Sequence, residues 1–388
     1  MADADRLAGP LAAALDGSGP AILPVDASQP AARLRRLIDA FQPNAVIEPD
    51  GEATVRSGER KTAADTAVII GTSGSTGEPK GVELSAAALR HSAAASLARI
   101  GATGGGRWLC CLPLTFVAGL QVVVRSLLSS SERAVASRLD AATVRESGCA
   151  YISVVPTQLV RLLDEPGGAA ALASFAAVLV GGAAPAAVLL DRARAAGVPV
   201  VTTYGMSETC GGCVYDGVPL DGVRVWAGDD GLLRIAGPVL MNRYHGGPDT
   251  GGEFVTSDLG YVRNGRVVVR GRADDVINTG GHKVVPGEVA AVLESCPGVR
   301  EVVVVGRADP EWGQRVTAVV VPADPAAPPT LELLRNHVSQ RLPRYACPSE
   351  VVLTRAIPVL ASGKPDLASL SAARTLRGRE QSPARSVN

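Results

Sequence analysis

The sequence of 388 residues predicts an α/β protein: a large N-terminal domain of parallel-type α/β sheets with a β-barrel-like portion, then a small C-terminal α+β domain. Strand segments alternate with helical patterns up to about residue 215, which favours parallel sheets. Short strands with Gly or Asn turns follow, as in "GRVVVRGR", and indicate antiparallel pairing. A compact β/α pattern begins near residue 275. We therefore expect domains over 1–273 and 274–375 and a disordered polar tail over 376–388.

Each predicted N-terminal strand is an apolar run that ends at a turn signal, and amphipathic or Ala-rich segments predict helices between them. The segment "TAVIIGTS" (66–73) runs directly into a glycine-rich loop. Because ligands in α/β folds bind beyond the carboxyl ends of strands, this loop is a candidate site. The predicted strands are 21–26, 44–49, 66–73, 107–114, 150–156, 175–182 and 199–205, and the predicted helices include 30–41 and 85–101.

The C-terminal part follows the same rules. The runs "GLLRIAGP" and "GEFVTSDLGYV" are predicted strands of the antiparallel portion. Beyond them, "REVVVVGR", "RVTAVVVP" and 350–358 are predicted strands, and "PADPAAPP" is a surface turn. A helix and its start lie within 284–299, and a second helix is predicted over 330–343. These elements make up the small domain.

Composition excludes several classes of protein. Lys and Arg together number 38, as do Asp and Glu, so no electrostatic footprint for nucleic acid or an anionic membrane is expected. No apolar run reaches the roughly 18–20 residues of a membrane span, and the acidic N-terminus does not resemble a signal peptide. Seven cysteines scattered along the chain do not form a disulfide framework. We therefore expect a cytoplasmic protein.

The loop "GTSGSTGEPKG" (71–81) combines backbone freedom with hydroxyl donors. Three glycines expose backbone N–H groups, and such a concavity suits phosphate oxygens. Lys80 can add a compact positive charge. It follows Pro79 and precedes Gly81, so the loop is neither the nucleotide-binding P-loop nor the dinucleotide fingerprint. The alternative is a flexible surface loop. The candidate ATP-binding residues here are Thr72, Ser73, Gly74, Ser75, Thr76, Gly77 and Lys80.

This loop resembles the phosphate loop of the adenylate-forming superfamily, and four further signatures follow in the order typical of that family. They are "VGGAAP" (180–185), "TTYGMSETCGG" (202–212), "TSDLGYV" (256–262) and "RGRADDVINTGGHKVVPGEVAAVL" (270–293). The segment "LASGKPD" (360–366) resembles the lysine segment of the family's small domain. The resemblance therefore covers most of the chain.

The resemblance implies a role for residues of each signature. Gly182, Ala183, Tyr204 and Gly205 lie against or near the adenine, and Ser207 reaches the α-phosphate. Glu208 helps to hold Mg²⁺, since a hard cation that bridges phosphates needs only one or two carboxylates. Asp258 accepts hydrogen bonds from both ribose hydroxyls, because a carboxylate has two oxygens. Taken alone, Glu208 reads as an exposed loop acid and 180–185 as an ordinary turn.

The C-terminal signatures imply a two-step reaction. Arg272 contacts ribose and phosphate, Asp274 is the hinge of a mobile small domain, and Lys364 is the catalytic cation. Gly280 and Gly281 line the path of the thiol after the small domain rotates. A carboxylate attacks the α-phosphate of ATP, pyrophosphate leaves, and the acyl-adenylate then passes to coenzyme A. The implied cofactor is Mg²⁺, with ATP and coenzyme A as substrates. The alternative is that Lys364 is an ordinary solvated lysine, and only its position after the other motifs favours the catalytic role.

The segment "TCGGCVYDGVPLDGV" (209–223) resembles the o-succinylbenzoate–CoA ligases of menaquinone biosynthesis, in the short actinobacterial form. The family often has His where Phe116 stands, so any role for a titratable group there is lost. Arg125, on a predicted helix within 112–128, can neutralise the second carboxylate of o-succinylbenzoate. The alternative is that Arg125 pairs or caps at the surface. The candidate acyl-binding residues are Phe116, Gly119, Arg125, Gly182, Gly205, Cys210, Gly211 and Gly212.

Three alternatives stay open. The same chemistry could act on another acid or transfer to a carrier-protein thiol, or the fold could serve a non-catalytic nucleotide-binding sensor. Cys210 and Cys213 form a CxxC pair that could bind zinc or act in redox chemistry, although no second ligand pair accompanies it. The expected partners are small molecules, without nucleic acid or membrane, and a homodimer is an open alternative.

Overall fold

A computed structural model describes residues 4–48, 51–56, 58, 61–73, 79–102, 104–360 and 363–372, with only the backbone of Ser73. The chain divides into two compact units: a large unit of Met1–Ala273 with Ala361–Lys364, and a small unit of Asp274–Leu360 with Pro365–Asn388. The helices described are α1 (Ala4–Asp16), α2 (Ala31–Phe41), α3 (Ala86–Arg99), α4 (Val117–Leu128), α5 (Ala141–Glu146), α6 (Pro156–Asp164), α7 (Gly168–Ala173), α8 (Ala187–Ala195), α9 (Pro286–Leu293), α10 (Leu331–Ser339) and α11 (Leu367–Ala372).

The strands of the large unit form three larger sheets and one small hairpin. They are β1 (Ala45–Ile47), β2 (Ala53–Val55), β3 (Thr66–Ser73), β4 (Pro79–Ser85), β5 (Trp108–Cys110), β6 (Arg133–Val135), β7 (Tyr151–Val154), β8 (Ala177–Val180), β9 (Val200–Met206), β10 (Gly211–Tyr215), β11 (Val218–Pro219), β12 (Arg224–Ala227), β13 (Leu232–Ala236), β14 (Arg243–Tyr244), β15 (Glu253–Arg263) and β16 (Arg266–Arg272). Those of the small unit are β17 (Ile277–Thr279), β18 (His282–Val284), β19 (Val299–Asp309), β20 (Gly313–Pro322) and β21 (Glu350–Leu353).

The central sheet of the large unit has the order β11-β10-β9-β8-β7-β5-β6. Strands β5 to β9 are parallel, and β10 and β11 extend the sheet antiparallel. The parallel strands are joined through helices, as a crossover between parallel neighbours requires. The carboxyl ends of β5 to β9 therefore share one edge of the sheet.

Alternate residues of the central strands enter two separate hydrophobic cores. Ala177 and Leu179 of β8 pack in one core with α1, α3 and α4, whereas Val178 and Val180 pack in the other with α5 to α8. This follows from the two-residue period of a strand. Both faces of the sheet are buried, so its strands are continuous apolar runs rather than alternating ones.

Two antiparallel sheets complete the large unit. One has the order β12-β13-β15-β16, and the other has the order β14-β4-β3. In the second sheet, the β3–β4 hairpin carries the glycine-rich loop, and β14 pairs through Arg243 with Glu83 and through Tyr244 with Val82. This pairing brings a distant segment of the chain next to the candidate phosphate loop.

The small unit is a sheet in the order β18-β17-β20-β19, with β21 parallel to β20. Helices α9 and α10 pack on one face through Val289, Leu293, Leu334 and Val338. Thr330 caps α10 by accepting the N–H of Leu333 at 3.2 Å, as a threonine at that position commonly does.

The predicted fold class is confirmed, and most predicted elements lie within a few residues of the observed ones. The helix predicted over 85–101 begins at Ala86, because Ser85 caps it by accepting the N–H of Ala88 at 3.1 Å. The strand predicted over 21–26 is wrong: Ile22 forms a single bridge to Val68. Pro24 has no N–H to continue the pairing.

In the part of the chain that the structure describes, no helix is both long enough and apolar enough to cross a membrane.

Helix α4 offers a paired test of core packing. Leu120 is fully buried, whereas Leu128 on the same helix is 38% exposed. We expect Leu120→Ala to lower the free energy of unfolding by about 2–5 kcal/mol, because it leaves a cavity. Leu128→Ala should change it by no more than about 0.5 kcal/mol. Urea unfolding followed by circular dichroism compares the two variants, and equal losses would contradict the assigned burial.

Candidate active site

The segment Tyr204–Gly212 is the centre of the candidate site in the large unit. It passes from β9 through a turn at Ser207–Thr209 into β10, and Gly205 pairs with Gly212. A Cβ on Gly205 would overlap the carbonyl of Gly211, so only glycine fits there. Cys210 has φ +53 and Gly211 has φ +99, so both have left-handed backbones. The strands therefore come unusually close at this turn.

Buried side chains hold the turn in this conformation. Gln121 of α4 donates through Nε2 to the carbonyl of Cys210 at 2.8 Å, and Ser92 of α3 donates to the same oxygen at 3.2 Å. Thr209 accepts the N–H of Met206 at 3.0 Å and donates to the carbonyl of Gly211 at 2.7 Å. The left-handed residue Cys210 is thus stabilised from two helices.

Glu208 and Lys80 meet at Tyr244. The Tyr244 hydroxyl donates to Oε1 of Glu208 at 2.8 Å, and Nζ of Lys80 lies 5.6 Å from the centre of the tyrosine ring. Burial and the negative charge of Glu208 raise the pKa of Tyr244, which stays a neutral donor. The ring also attracts the ammonium group. The candidate phosphate cation and the candidate metal carboxylate thus share one positioning side chain.

Glu83 anchors β14, the strand that carries Tyr244. This carboxylate is fully buried and accepts hydrogen bonds from the N–H of Ala63 at 2.9 Å and the hydroxyl of Thr66 at 3.1 Å. It also contacts Nε of Arg243 at 3.2 Å and Nδ1 of His245 at 2.7 Å. Burial alone would raise the pKa of Glu83. The hydrogen bonds and the charge of Arg243 outweigh it, so the pKa lies below its ordinary value.

Asp258 pairs with Tyr204 and Arg272. The Tyr204 hydroxyl donates to Oδ2 of Asp258 at 2.7 Å, and Nη1 of Arg272 lies 3.5 Å from Oδ1. Asp258 and Arg272 face each other across β15 and β16. Burial and the adjacent Asp258 raise the pKa of Tyr204. The carboxylate keeps acceptor capacity for further hydroxyl donors.

The other candidate nucleotide residues lie in or directly after strands of two different sheets. Thr72 donates to the carbonyl of Lys80 at 3.2 Å within the β3–β4 hairpin. Gly182 follows β8 with φ +84, and Ala183, which follows it, is partly buried. Ser207 is also partly buried at the start of the turn before β10. The predictions for Gly74, Ser75, Thr76, Gly77 and the side chain of Ser73 lie outside the described residues.

The candidate acyl-binding segment forms the start of α4. Phe116 precedes the helix and is partly buried. A Cβ on Gly119 would overlap the carbonyl of Pro113, so the preceding turn packs directly on the helix backbone. A Cβ on Gly211 would lie 3.4 Å from Cγ of Gln121 and 3.9 Å from Val117. The start of α4 therefore lies against the turn at 207–211.

Arg125 is buried, with only 4% of its surface exposed. Nε donates to the hydroxyl of Ser96 at 2.8 Å and Nη2 to the hydroxyl of Tyr215 at 3.2 Å, and the guanidinium lies 5.3 Å from the centre of the Trp108 ring. A Cβ on Gly212 would in turn lie 3.1 Å from the Tyr215 ring. Among the described residues, no carboxylate lies within 4.0 Å of Arg125. A buried cation without an acid partner is costly unless an anion joins it.

The remaining predicted residues lie near the unit boundary or in the small unit. Asp274 is the first residue of the small unit and is exposed. Gly280 and Gly281 form the turn between β17 and β18, with φ +54 and +80. A Cβ on Gly280 would lie 2.5 Å from the exposed Trp312 ring, so a side chain there would displace the indole. Lys364 is exposed and groups with the large unit.

Cys210 and Cys213 are both fully buried free thiols. Burial raises the pKa of Cys213 to about 12 and raises that of Cys210 as well. Across the described residues, no group of three or more His, Cys, Asp or Glu side chains is arranged to hold a metal ion.

Sequence reasoning missed Gln121, Tyr244 and Glu83. Tyr244 contacts Glu208 across 36 residues of chain, and Gln121 reaches Cys210 across 89. Nothing local in "LQVVV" marks Gln121 as polar support for the turn. A glutamate in the otherwise apolar run "GVELS" was the one available signal for Glu83, because a buried acid requires partners.

Two matches to known protein families identify the class of this protein. Residues 48–244 match the AMP-binding enzyme family, and residues 288–364 match the AMP-binding enzyme C-terminal domain. The chain belongs to this family.

The chain is similar to named 2-succinylbenzoate–CoA ligases within this family. The chain is 42% identical over 358 residues to the probable 2-succinylbenzoate–CoA ligase of Mycobacterium tuberculosis, which covers 87% of this chain and 93% of that protein. It is also similar to o-succinylbenzoate CoA synthetase (MenE) from Bacillus subtilis in complex with the acyl-adenylate intermediate OSB-AMP. That comparison gives 29% identity and a TM-score of 0.68, covering 84% of this chain and 72% of that one. The same enzyme in complex with ATP and magnesium ion is 28% identical, with a TM-score of 0.67, covering 82% and 73% of the two chains.

Replacing Tyr244 tests its link to Glu208. We expect Tyr244→Phe to weaken binding of Mg²⁺-ATP by about tenfold, because a hydrogen bond to a charged group is lost. ATP binding in EDTA should change much less. Calorimetry measures both affinities. Tyr261→Phe, on the 39% exposed Tyr261 of β15, is the matched control and should bind like the wild type. An equal loss with and without Mg²⁺ would contradict a role through Glu208.

The buried Glu83 predicts a pH dependence of stability. Because its native pKa is depressed, its contribution is fully present above the unfolded value of about 4.3 and is lost as pH falls through the native pKa. We expect Glu83→Gln to cost about 3–5 kcal/mol at pH 7 and progressively less in acid. Urea midpoints from pH 7 to pH 3 measure the difference. Glu146→Gln, at an exposed position, should match the wild type throughout. If the loss in free energy of unfolding were the same at every pH, the stabilisation would not come from the ionised Glu83 carboxylate.

Proposed function

We propose that this protein is an AMP-forming acid–thiol ligase that acts on o-succinylbenzoate, in menaquinone biosynthesis. It would form the acyl-adenylate from ATP and then transfer the acyl group to coenzyme A. Family membership and the 42% identical relative support the reaction class. The observation that carries the choice of acid is Arg125, a buried cation with no acid partner among the described residues.

The nucleotide would lie along the carboxyl ends of the strands that carry the glycine loop, 180–185 and 204–212. Lys80 and the hydroxyls of 72–76 would donate to the phosphates, and Ser207 would reach the α-phosphate. Asp258, already oriented by Tyr204 at 2.7 Å, would accept the ribose hydroxyls. Arg272, opposite Asp258, would add a donor for ribose or phosphate. Gly182, whose Cβ position has only Val155 within 4 Å, would leave room for the adenine.

Glu208 fits a magnesium site. Its carboxylate supplies one hard oxygen ligand, which suffices for a cation whose other ligands are phosphates and water. Tyr244 orients that carboxylate and stays protonated. When bound, Mg²⁺ would neutralise charge on the phosphate oxygens. The ATP and magnesium of the Bacillus subtilis structure agree with this assignment.

The first half-reaction would be attack of the succinyl carboxylate on the α-phosphorus. A bond forms between the carboxylate oxygen and phosphorus, and pyrophosphate leaves with the electron pair of the broken P–O bond. Charge on the α-phosphoryl oxygens increases, so positioned cations lower the barrier. Lys364 would be the principal cation, because a compact ammonium can follow the developing charge.

The second half-reaction would follow a rotation of the small domain about Asp274. The rotation would remove Lys364 and bring the turn at Gly280 and Gly281 to the path of the thiol. The thiol of coenzyme A would then attack the acyl carbon, and AMP would leave. The glycines fit this role because their positive φ values make a narrow turn without side chains.

The second carboxylate of o-succinylbenzoate would pair with Arg125. Ser96 and Tyr215 use Nε and Nη2, and Nη1 has no hydrogen-bond partner among the described residues. The flat ring would lie against the backbone of Gly211 and Gly212, between Phe116 and the turn. Ser96, Tyr215 and the Trp108 ring hold the guanidinium without neutralising it. An anionic group would therefore gain a preorganised cation.

The test compares o-succinylbenzoate with 4-oxo-4-phenylbutanoate, which lacks only the ring carboxylate. Pyrophosphate release with ATP and Mg²⁺, with and without coenzyme A, is measured for the wild type and for Arg125→Gln. We expect the variant to lose at least about thirtyfold in kcat/KM for o-succinylbenzoate, because an ion pair is broken. Its activity on 4-oxo-4-phenylbutanoate should not fall.

The second acid is the control for folding. If the variant loses both activities equally, Arg125 is structural and the choice of acid fails. If the wild type prefers benzoate or a fatty acid, the reaction class stands and the proposed substrate is wrong. If ATP binds but no acid releases pyrophosphate, a nucleotide-binding sensor replaces the ligase.

A further inference from the structure

A cavity opens at the edge of the central sheet, beyond β5 and β6. Its volume is about 280 Å³, near the lower end of the roughly 300–1,000 Å³ range of small-molecule sites. It is lined by residues that follow β5 and β6 and by the first turns of α6, among them Cys111, Ser137, Arg138, Gln158 and Arg161. None of the roles assigned above uses these residues.

The lining is cationic. Of the described residues, those around the cavity include two arginines and neither Asp nor Glu. The guanidinium of Arg161 has no hydrogen bond or ion pair to any described residue. Nε of Arg138 lies 2.8 Å from Oδ2 of Asp140, and the two Nη groups of Arg138 make no hydrogen bond to a described residue. Asp140 itself caps α5 by accepting the N–H of Thr143 at 2.9 Å.

Neutral donors add to this charge. Oε1 of Gln158 accepts the N–H of Val155 at 3.0 Å, which orients the amide and leaves its Nε2 hydrogens without a described partner. Gln158 lies in the first turn of α6, where the helix dipole is positive. Ser137, which follows β6, provides a hydroxyl in the same lining. The cavity therefore offers guanidinium, amide and hydroxyl donors, and Arg161 adds a positive charge that no described acid pairs with.

Its position relates it to the candidate nucleotide site. The cavity lies beyond the carboxyl ends of β5 and β6, and Gly182 follows the end of β8, two strands from β5 in the same sheet. Since neighbouring strands lie about 4.8 Å apart, the two sites are separated by roughly 10–15 Å. Ligands of α/β sheets bind at this edge.

We propose that this cavity binds a phosphate group through Arg138, Arg161 and Gln158. Two guanidinium groups and an amide provide the charge and the multiple N–H donors that phosphate oxygens accept. Two kinds of ligand contain such a phosphate group: the phosphorylated nucleotide end of coenzyme A, and free phosphate or pyrophosphate. The first source rests on the proposed function, because the thiol would have to reach the strand ends of β8 and β9. The anion site itself does not.

The test uses the full chain with saturating AMP, so that the nucleotide site is occupied. Calorimetry measures the affinities of 3′,5′-ADP and of inorganic phosphate for the wild type and for Arg138→Gln/Arg161→Gln. We expect at least one anion to bind the wild type and to bind the double variant about tenfold more weakly or worse. Arg36→Gln/Arg263→Gln removes the same charge from exposed positions and should bind like the wild type. No binding by the wild type, or equal loss in both double variants, would overturn the site.

Steady-state kinetics then separates the two sources. If the KM for coenzyme A rises in Arg138→Gln/Arg161→Gln while that for dephospho-coenzyme A does not, the cavity holds the 3′-phosphate. If neither KM changes while binding of inorganic phosphate is lost, the cavity is a free-phosphate site. Calorimetry measures anion binding without turnover. If the wild type forms no thioester, the proposed function is therefore refuted, whereas the proposed anion site still depends only on the binding result.

Discussion

The close approach of β9 and β10 at Gly205 and Gly211 is the constraint on which the large unit's site depends. A Cβ on Gly205 would overlap the Gly211 carbonyl, so the two strands can approach each other this closely only when residue 205 is glycine. The tight turn then projects Glu208 on one side and leaves Tyr204 on the preceding strand. Gln121 and the other buried donors compensate the left-handed backbone at Cys210. The candidate adenine, metal and acyl groups are therefore all placed by one short stretch of chain.

Two hydrogen bonds from a tyrosine hydroxyl to a carboxylate form the same arrangement around this turn. Tyr204 orients Asp258 at 2.7 Å, and Tyr244 orients Glu208 at 2.8 Å. In each pair the tyrosine is held neutral by burial and by the adjacent negative charge. A neutral donor fixes the direction of a carboxylate and leaves its charge available for a cation or a hydroxyl group. The site can thus present acids in defined orientations before any ligand arrives.

How far the sequence could predict this site depended on how locally each contact is encoded. Asp258 and Arg272 are only 14 residues apart and face each other across the β15–β16 hairpin, so their proximity is encoded locally, although the sequence motifs indicated their roles without predicting this pairing. Tyr244 reaches the site only because β14 pairs with β4, and a two-residue strand leaves almost no pattern in the sequence. The strand expected over 21–26 failed for a related reason. Its apolar run was visible, but its pairing is a single bridge at Ile22, and pairing depends on distant residues.

All seven cysteines are buried free thiols, and this has a consequence for chemoselectivity. An acyl-adenylate is a mixed anhydride that any nearby thiolate would attack. Cys210 and Cys213 flank the glycines proposed to lie against the acyl ring, yet burial raises the pKa of Cys213 to about 12 and that of Cys210 too. At neutral pH both remain protonated and poorly nucleophilic. At the proposed acyl site, the protein would therefore hold an electrophile beside its own sulfur atoms without self-acylation, and the acyl group would pass to a thiol that diffuses in.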